Sequence, residues 1–117
     1  MQHVVRRLPV RFRREARADL ADIFDVVLRA SRDDITAERF TRRIIARCRR
    51  IGDAPFGGRL RDDLIPNLRT VPFEGSAVIA YRVEPDCVRI TNIFYGGRDI
   101  EAFYLAGEQR IALAKQH

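Results

Sequence analysis

The cysteines and histidines of this sequence, the first side chains to consider for a nucleophile or a transition-metal site, are Cys48, Cys87, His3 and His117. Their spacing favours none of these roles. No CxxC or mixed Cys/His pattern supports a metal site. Cys48 falls on the apolar side of a helical stripe, where a thiol packs as a small hydrophobe. The two histidines stand at the ends of the chain, where a fixed catalytic geometry is hard to hold. Hydrolysis through a Ser/His or Cys/His pair is therefore not expected, and no metal or cofactor is implied. The more informative polar groups close the segment 67–99, NLRTVPFEGSAVIAYRVEPDCVRITNIFYGGRD. It strings three strand-like runs together and ends on Arg98-Asp99. Arg69 and Arg98 are placed to pair with Asp99, Glu74 or Glu101 at a sheet edge, and Asp99 suits the N-cap of a helix starting at Ile100.

The elements that position these groups follow from hydrophobic period. At 9–14, Val10 and Phe12 alternate with Arg11 and Arg13, the pattern of a half-exposed strand. From 14 to about 29, Leu20, Ile23, Phe24, Val27 and Leu28 form an amphipathic helical stripe, with Asp19, Asp22 and Asp25 mostly off it. Ser31, Asp33 and Asp34 break that pattern and can cap a second helix, whose stripe is Ala37, Phe40, Ile44, Cys48 and Ile51, with Gly52 as its C-terminal cap. So short a link predicts an antiparallel helical hairpin. Residues 53–61, DAPFGGRLR, read as a Pro- and Gly-marked loop. Strands are expected at 68–73, 77–84 and 87–95. In the last, Val88, Ile90 and Phe94 are expected on one face and Ile93 and Tyr95 on the other, so it should be a central strand. Tyr81 is expected in the core with its hydroxyl reaching an edge, and Gly96 and Gly97 to let the chain leave the strand. The order predicts an α+β fold: an N-terminal strand, a helical hairpin on a three- to four-stranded antiparallel sheet, and a short C-terminal helix. At 117 residues and 46% apolar content the chain suits one domain over 1–117, with 106–117 as a flexible or helical tail.

Charge is distributed unevenly. Residues 1–58 carry 14 arginines against eight acids, whereas 59–117 balance eight bases with eight acids, within a formal net charge of +6. The excess lies on the helical half, where it can attract nucleic acid or an acidic protein segment. Lys115 is the only lysine among 22 basic residues, a usage that also follows from a GC-rich genome. The N-terminal run lacks the continuous apolar core of a secretory signal, and no run is long enough to span a bilayer, so a cytoplasmic protein without membrane contact is expected.

Several short motifs, in order, carry a family resemblance: Ala18-Asp19-Leu20 and Asp22-Ile23, the PFGGR loop at 55–59, Leu68-Arg69, Tyr81-Arg82-Val83, and Gly96-Gly97-Arg98-Asp99-Ile100. In this order and spacing the chain resembles the RelE/ParE superfamily of bacterial type II toxins, over about 10–105, and most closely the ParE branch. The resemblance implies a toxin that binds and poisons DNA gyrase. It also implies a cognate antitoxin with a ribbon-helix-helix DNA-binding portion and an acidic or amphipathic tail, the two forming a hetero-oligomer.

The RelE branch instead cuts messenger RNA on the ribosome. Attack by a 2′-hydroxyl needs a group to take its proton, cations for the phosphate and a group to serve the leaving oxygen. By that resemblance the candidates here are Arg69, Arg98 and Tyr104, the last two six apart as in the RelE pattern. The set is partial, because Val71 and Val78 stand where further bases would be expected. Contact candidates for target or antitoxin are Arg42, Arg43, Arg49 and Arg50 on the second helix, with Arg59, Arg69, Arg98 and Tyr104. Tyr81, Gly96, Gly97 and Asp99 are read as structural. A ribosome-dependent endonuclease and a non-toxic remnant that only binds antitoxin are the alternatives to a gyrase-binding toxin.

Overall fold

The computed structural model describes residues 7–115. His3 and His117 lie outside the described residues. The chain forms β1 (Val10–Phe12), α1 (Arg14–Ser31), α2 (Asp34–Ile51), β2 (Arg59–Leu60), β3 (Arg69–Phe73), β4 (Ala77–Val83), β5 (Val88–Tyr95) and α3 (Ile100–Lys115). The hairpin turns as tightly as its capping residues predict. Arg32 takes the left-handed conformation (φ 55°) and returns its N–H to the Leu28 carbonyl at 2.7 Å. Asp33 then accepts hydrogen bonds from the Ile35 N–H and the Thr36 hydroxyl, capping α2.

The expected α+β architecture is present, but the sheet is larger and mixed. Its order is β1-β5-β4-β3-β2, with β1 parallel to β5 and every other pair antiparallel. Strands β2–β5 form the expected four-stranded antiparallel sheet, and two further features of the sheet had no signal in the sequence. Arg59–Leu60, inside the segment read as loop, adds a two-residue strand too short to show a period. The parallel partnership of Val10 with Val88 leaves no local signal, because it is made only after the helical hairpin returns the chain to the same end of the sheet.

A bulge reassigns the faces of β5. Ala80 pairs with Asn92 but Tyr81 pairs with Ile90, which leaves Thr91 as the extra residue. The alternation therefore reverses at Thr91: Val88 and Ile90 share the hairpin-side core with Ile93 and Tyr95, while Phe94 faces the other way. The expected grouping of Val88 and Ile90 with Phe94 is overturned for that reason.

Two cores result. The larger lies between the hairpin and the sheet and contains Ile23, Ile44, Cys48, Val71, Ile79 and Tyr81, with Phe40 stacked edge-on between Phe73 and Tyr95 at 5.8 and 5.5 Å. The smaller, on the opposite face, gathers Leu64, Leu68, Ala80, Phe94 and Tyr104 under α3. Burial pushes the Cys48 thiol up to about 12, in keeping with an inert apolar role. Asp99 caps α3 through the Ala102 N–H at 3.0 Å, and the helix runs through Gly107 to Lys115. Among the described residues no helix is long and apolar enough to cross a membrane.

Candidate functional site

The 55–59 loop is held by two neighbours on the sheet. Tyr81 and Arg69 face each other across β4 and β3. The Tyr81 hydroxyl accepts from the Gly58 N–H at 2.9 Å and donates to the Pro55 carbonyl at 2.8 Å. Burial raises the phenol's pKa and keeps it protonated, as a donor must be. The Arg69 Nη1 donates to the Phe56 and Gly58 carbonyls at 3.0 and 2.9 Å, and its guanidinium stacks over the exposed Phe56 ring at 5.2 Å. The PFGGR, Leu-Arg and Tyr-Arg-Val motifs are therefore three parts of one loop clamp.

Arg98 and Tyr104 belong to a different cluster. The Arg98 guanidinium lies 5.9 Å from the Phe94 ring and 6.0 Å from the Phe103 ring. Tyr104 packs edge-on against the same two rings and is 7% exposed. Its hydroxyl is buried beside that of Thr91, which donates its own proton to the Ala80 carbonyl and leaves its oxygen as the nearest acceptor. Burial raises this phenol's pKa as well. Arg69 faces the hairpin side of the sheet, whereas Phe94 and Tyr104 lie on the α3 side, so the fold separates Arg69 from the other two groups named for RNA cleavage.

The expected carboxylate partners of Arg69 and Arg98 are all engaged elsewhere. Asp99 caps α3, Glu74 forks onto Arg43 with contacts of 3.0 and 3.3 Å, and Glu101 bonds Arg61 at 2.7 Å. Arg98 instead stands exposed at the end of the sheet. It borders one cleft of about 100 Å³ with Asp19, Ile23 and Tyr95, and another of about 180 Å³ with Pro72, Val78 and Phe94. Gly96 and Gly97 deliver it there with φ near 75°, a conformation suited to glycine. Of the remaining contact candidates, Arg42 pairs with Glu38 one turn earlier, while Arg49, Arg50 and Arg59 are exposed.

Sequence reasoning missed Asp19. It was placed off the apolar stripe, yet it stands three residues after buried Ala16 and four before buried Ile23, and that spacing was the available signal. β1 pairs with β5 only as far as Ile90, so the outer edge of β5 is unpaired beyond the bulge. The Asp19 Oδ2 fills that gap, accepting from the Ile93 N–H at 2.8 Å and the Asn92 amide at 3.2 Å. Burial raises its pKa above the ordinary 3.8, against the lowering effect of these hydrogen bonds and of Arg98. Asp19→Ala is expected to cost about 1–3 kcal/mol by leaving the Ile93 N–H unpaired. From pH 3.8 up through the raised folded value, the folded protein holds a proton that the unfolded chain has lost, so this group's contribution to stability falls as pH rises. Urea titrations at a series of pH values should show that decline in the native protein and its absence in Asp19→Asn.

A family model described as "ParE toxin of type II toxin-antitoxin system, parDE" matches residues 10–100. Nine chains of solved structures are similar to this one. One of them, described as "Chromosomal ParDE TA system from P. aeruginosa", superimposes with a TM-score of 0.67 at 21% identity, covering 78% of this chain and 98% of that one. No curated protein matches the sequence.

Proposed function

Because the chain belongs to the ParE toxin family of type II toxin-antitoxin systems, we propose that it acts by binding DNA gyrase rather than by cutting RNA, and that a cognate antitoxin neutralises it in the cytoplasm. The observation that carries this reading is the condition of the nuclease candidates. Arg69 is engaged with two loop carbonyls, Tyr104 is buried, and the two face opposite sides of the sheet. A general acid or base must come within hydrogen-bonding reach of its proton, and of the three candidates Arg98 alone is exposed, Arg69 being half-buried and Tyr104 buried. Binding asks less of the site: exposed cations on α2 and at Arg98, presented on a rigid frame.

Purified protein tested side by side on gyrase and on translating ribosomes distinguishes the targets. Loss of supercoiling with trapped DNA breaks and intact messenger RNA is the expected result. Codon-biased cuts that disappear in Arg98→Ala would overturn it. Tyr104→Phe adds a second discriminator. A nuclease using that hydroxyl would lose activity, whereas this reading expects gyrase inhibition to persist.

A further inference from the structure

A strongly cationic concavity lies between α2 and the β3–β4 turn, a cleft of about 450 Å³ lined by Arg43, Arg47, Arg50, Pro72, Phe73 and Glu74. The three arginines are spaced at i, i+4 and i+7, so one helix face presents them together. Arg47 and Arg50 have no ion-pair partner among the described residues. Arg43 holds Glu74 in a fork of two hydrogen bonds, the geometry that arginine uses for carboxylates. Glu74 is itself placed at some conformational cost. It takes φ 46° ahead of Gly75 at 65°, in the three-residue connection between β3 and β4, a left-handed conformation where asparagine or glycine is the usual choice. The chain thus sets one of its own carboxylates among the arginines.

We propose that this cleft docks an acidic polypeptide segment of the antitoxin, and that Glu74 competes with that segment for Arg43. The inference rests on the antitoxin reading above. Charge complementarity selects an acidic partner, and two features select a peptide bound through its side chains. Single-stranded nucleic acid needs aromatic faces for its bases, but the cleft's one aromatic, Phe73, is buried in the core. Strand addition to the open edge of β3 is disfavoured too. Leu68 and Thr70 turn their backbone groups toward β2, so the next residue facing outward is Pro72, which has no N–H to donate. Carboxylates reaching Arg47 and Arg50 are what the cleft can hold.

The test uses a fluorescein-labelled, glutamate- and leucine-rich synthetic peptide at physiological salt, with a single-stranded oligonucleotide of matched charge as competitor. Arg47→Glu/Arg50→Glu is expected to weaken peptide binding about tenfold, and Glu74→Gln to tighten it about threefold. Arg17→Glu/Arg29→Glu, the same charge change on α1, should leave it within about twofold. Equal loss in both double variants, no tightening in Glu74→Gln, or displacement of the peptide by the oligonucleotide would each overturn the proposal. Arg47→Gln/Arg50→Gln carries the same test if charge reversal impairs folding. An antitoxin that co-purifies undiminished with Arg47→Glu/Arg50→Glu overturns the cleft assignment alone. One that fails to co-purify even with the native toxin overturns the pairing on which it rests.

Discussion

Tyr81→Phe should lower the unfolding free energy by about 2–4 kcal/mol, although it removes a single oxygen atom. The hydroxyl is donor and acceptor at once, so its loss strands two backbone groups, the Gly58 N–H and the Pro55 carbonyl. Arg69 still holds the Phe56 and Gly58 carbonyls but cannot replace a hydrogen-bond acceptor. The ring itself is fully buried and stays so in phenylalanine, which confines the loss to the polar contacts. Urea unfolding should show a lower midpoint with an unchanged slope. Hydrogen exchange should quicken first at Gly58. An unchanged midpoint would mean that water satisfies the loop and the clamp is incidental. Gly58→Ala approaches the same contact from the other side, since an added β-carbon would lie 2.8–2.9 Å from two carbons of the Tyr81 ring.

A second large effect is expected at Gly52, where alanine should destabilise the protein by about 3 kcal/mol. Sequence placed this glycine correctly at the end of α2 but for the wrong reason. Its φ is −60°, a right-handed conformation that any residue adopts. What excludes a side chain is proximity: a β-carbon would overlap the Leu8 carbonyl oxygen and lie 3.1 Å from the Val10 side chain and 3.2 Å from the Arg49 carbonyl. Backbone cannot swing aside as a flexible side chain can. The Leu8 N–H also donates to the Gly52 carbonyl at 2.9 Å, so the clash would break the bond that leads the chain into β1. Thermal unfolding measures the loss, and amide exchange at Val10–Phe12 should rise toward that of an unpaired strand. Wild-type protection of those amides in Gly52→Ala would show that the chain accommodates the methyl elsewhere.

Both effects arise where distant segments touch, and the same division runs through the whole molecule. The amphipathic stripes of α1 and α2, the caps at Asp33 and Asp99, the inward alternation of Ala77, Ile79, Tyr81 and Val83, and the motif order that marks the family were legible in the sequence, because each depends on a local period or on a side chain bonding its own neighbourhood. The Thr91 bulge, the parallel pairing of β1 with β5, the use of Asp19 to close the edge beyond it and the opposite facing of Arg69 and Tyr104 were not. Each depends on which strand lies beside which and in what register. A shift of one residue in that register exchanges the two faces of a strand without altering its composition. Sequence therefore named the residues able to do chemistry, and tertiary structure decided which of them meet: Tyr81 and Arg69 at a loop, Arg98 with two aromatic rings, and three arginines around a cleft.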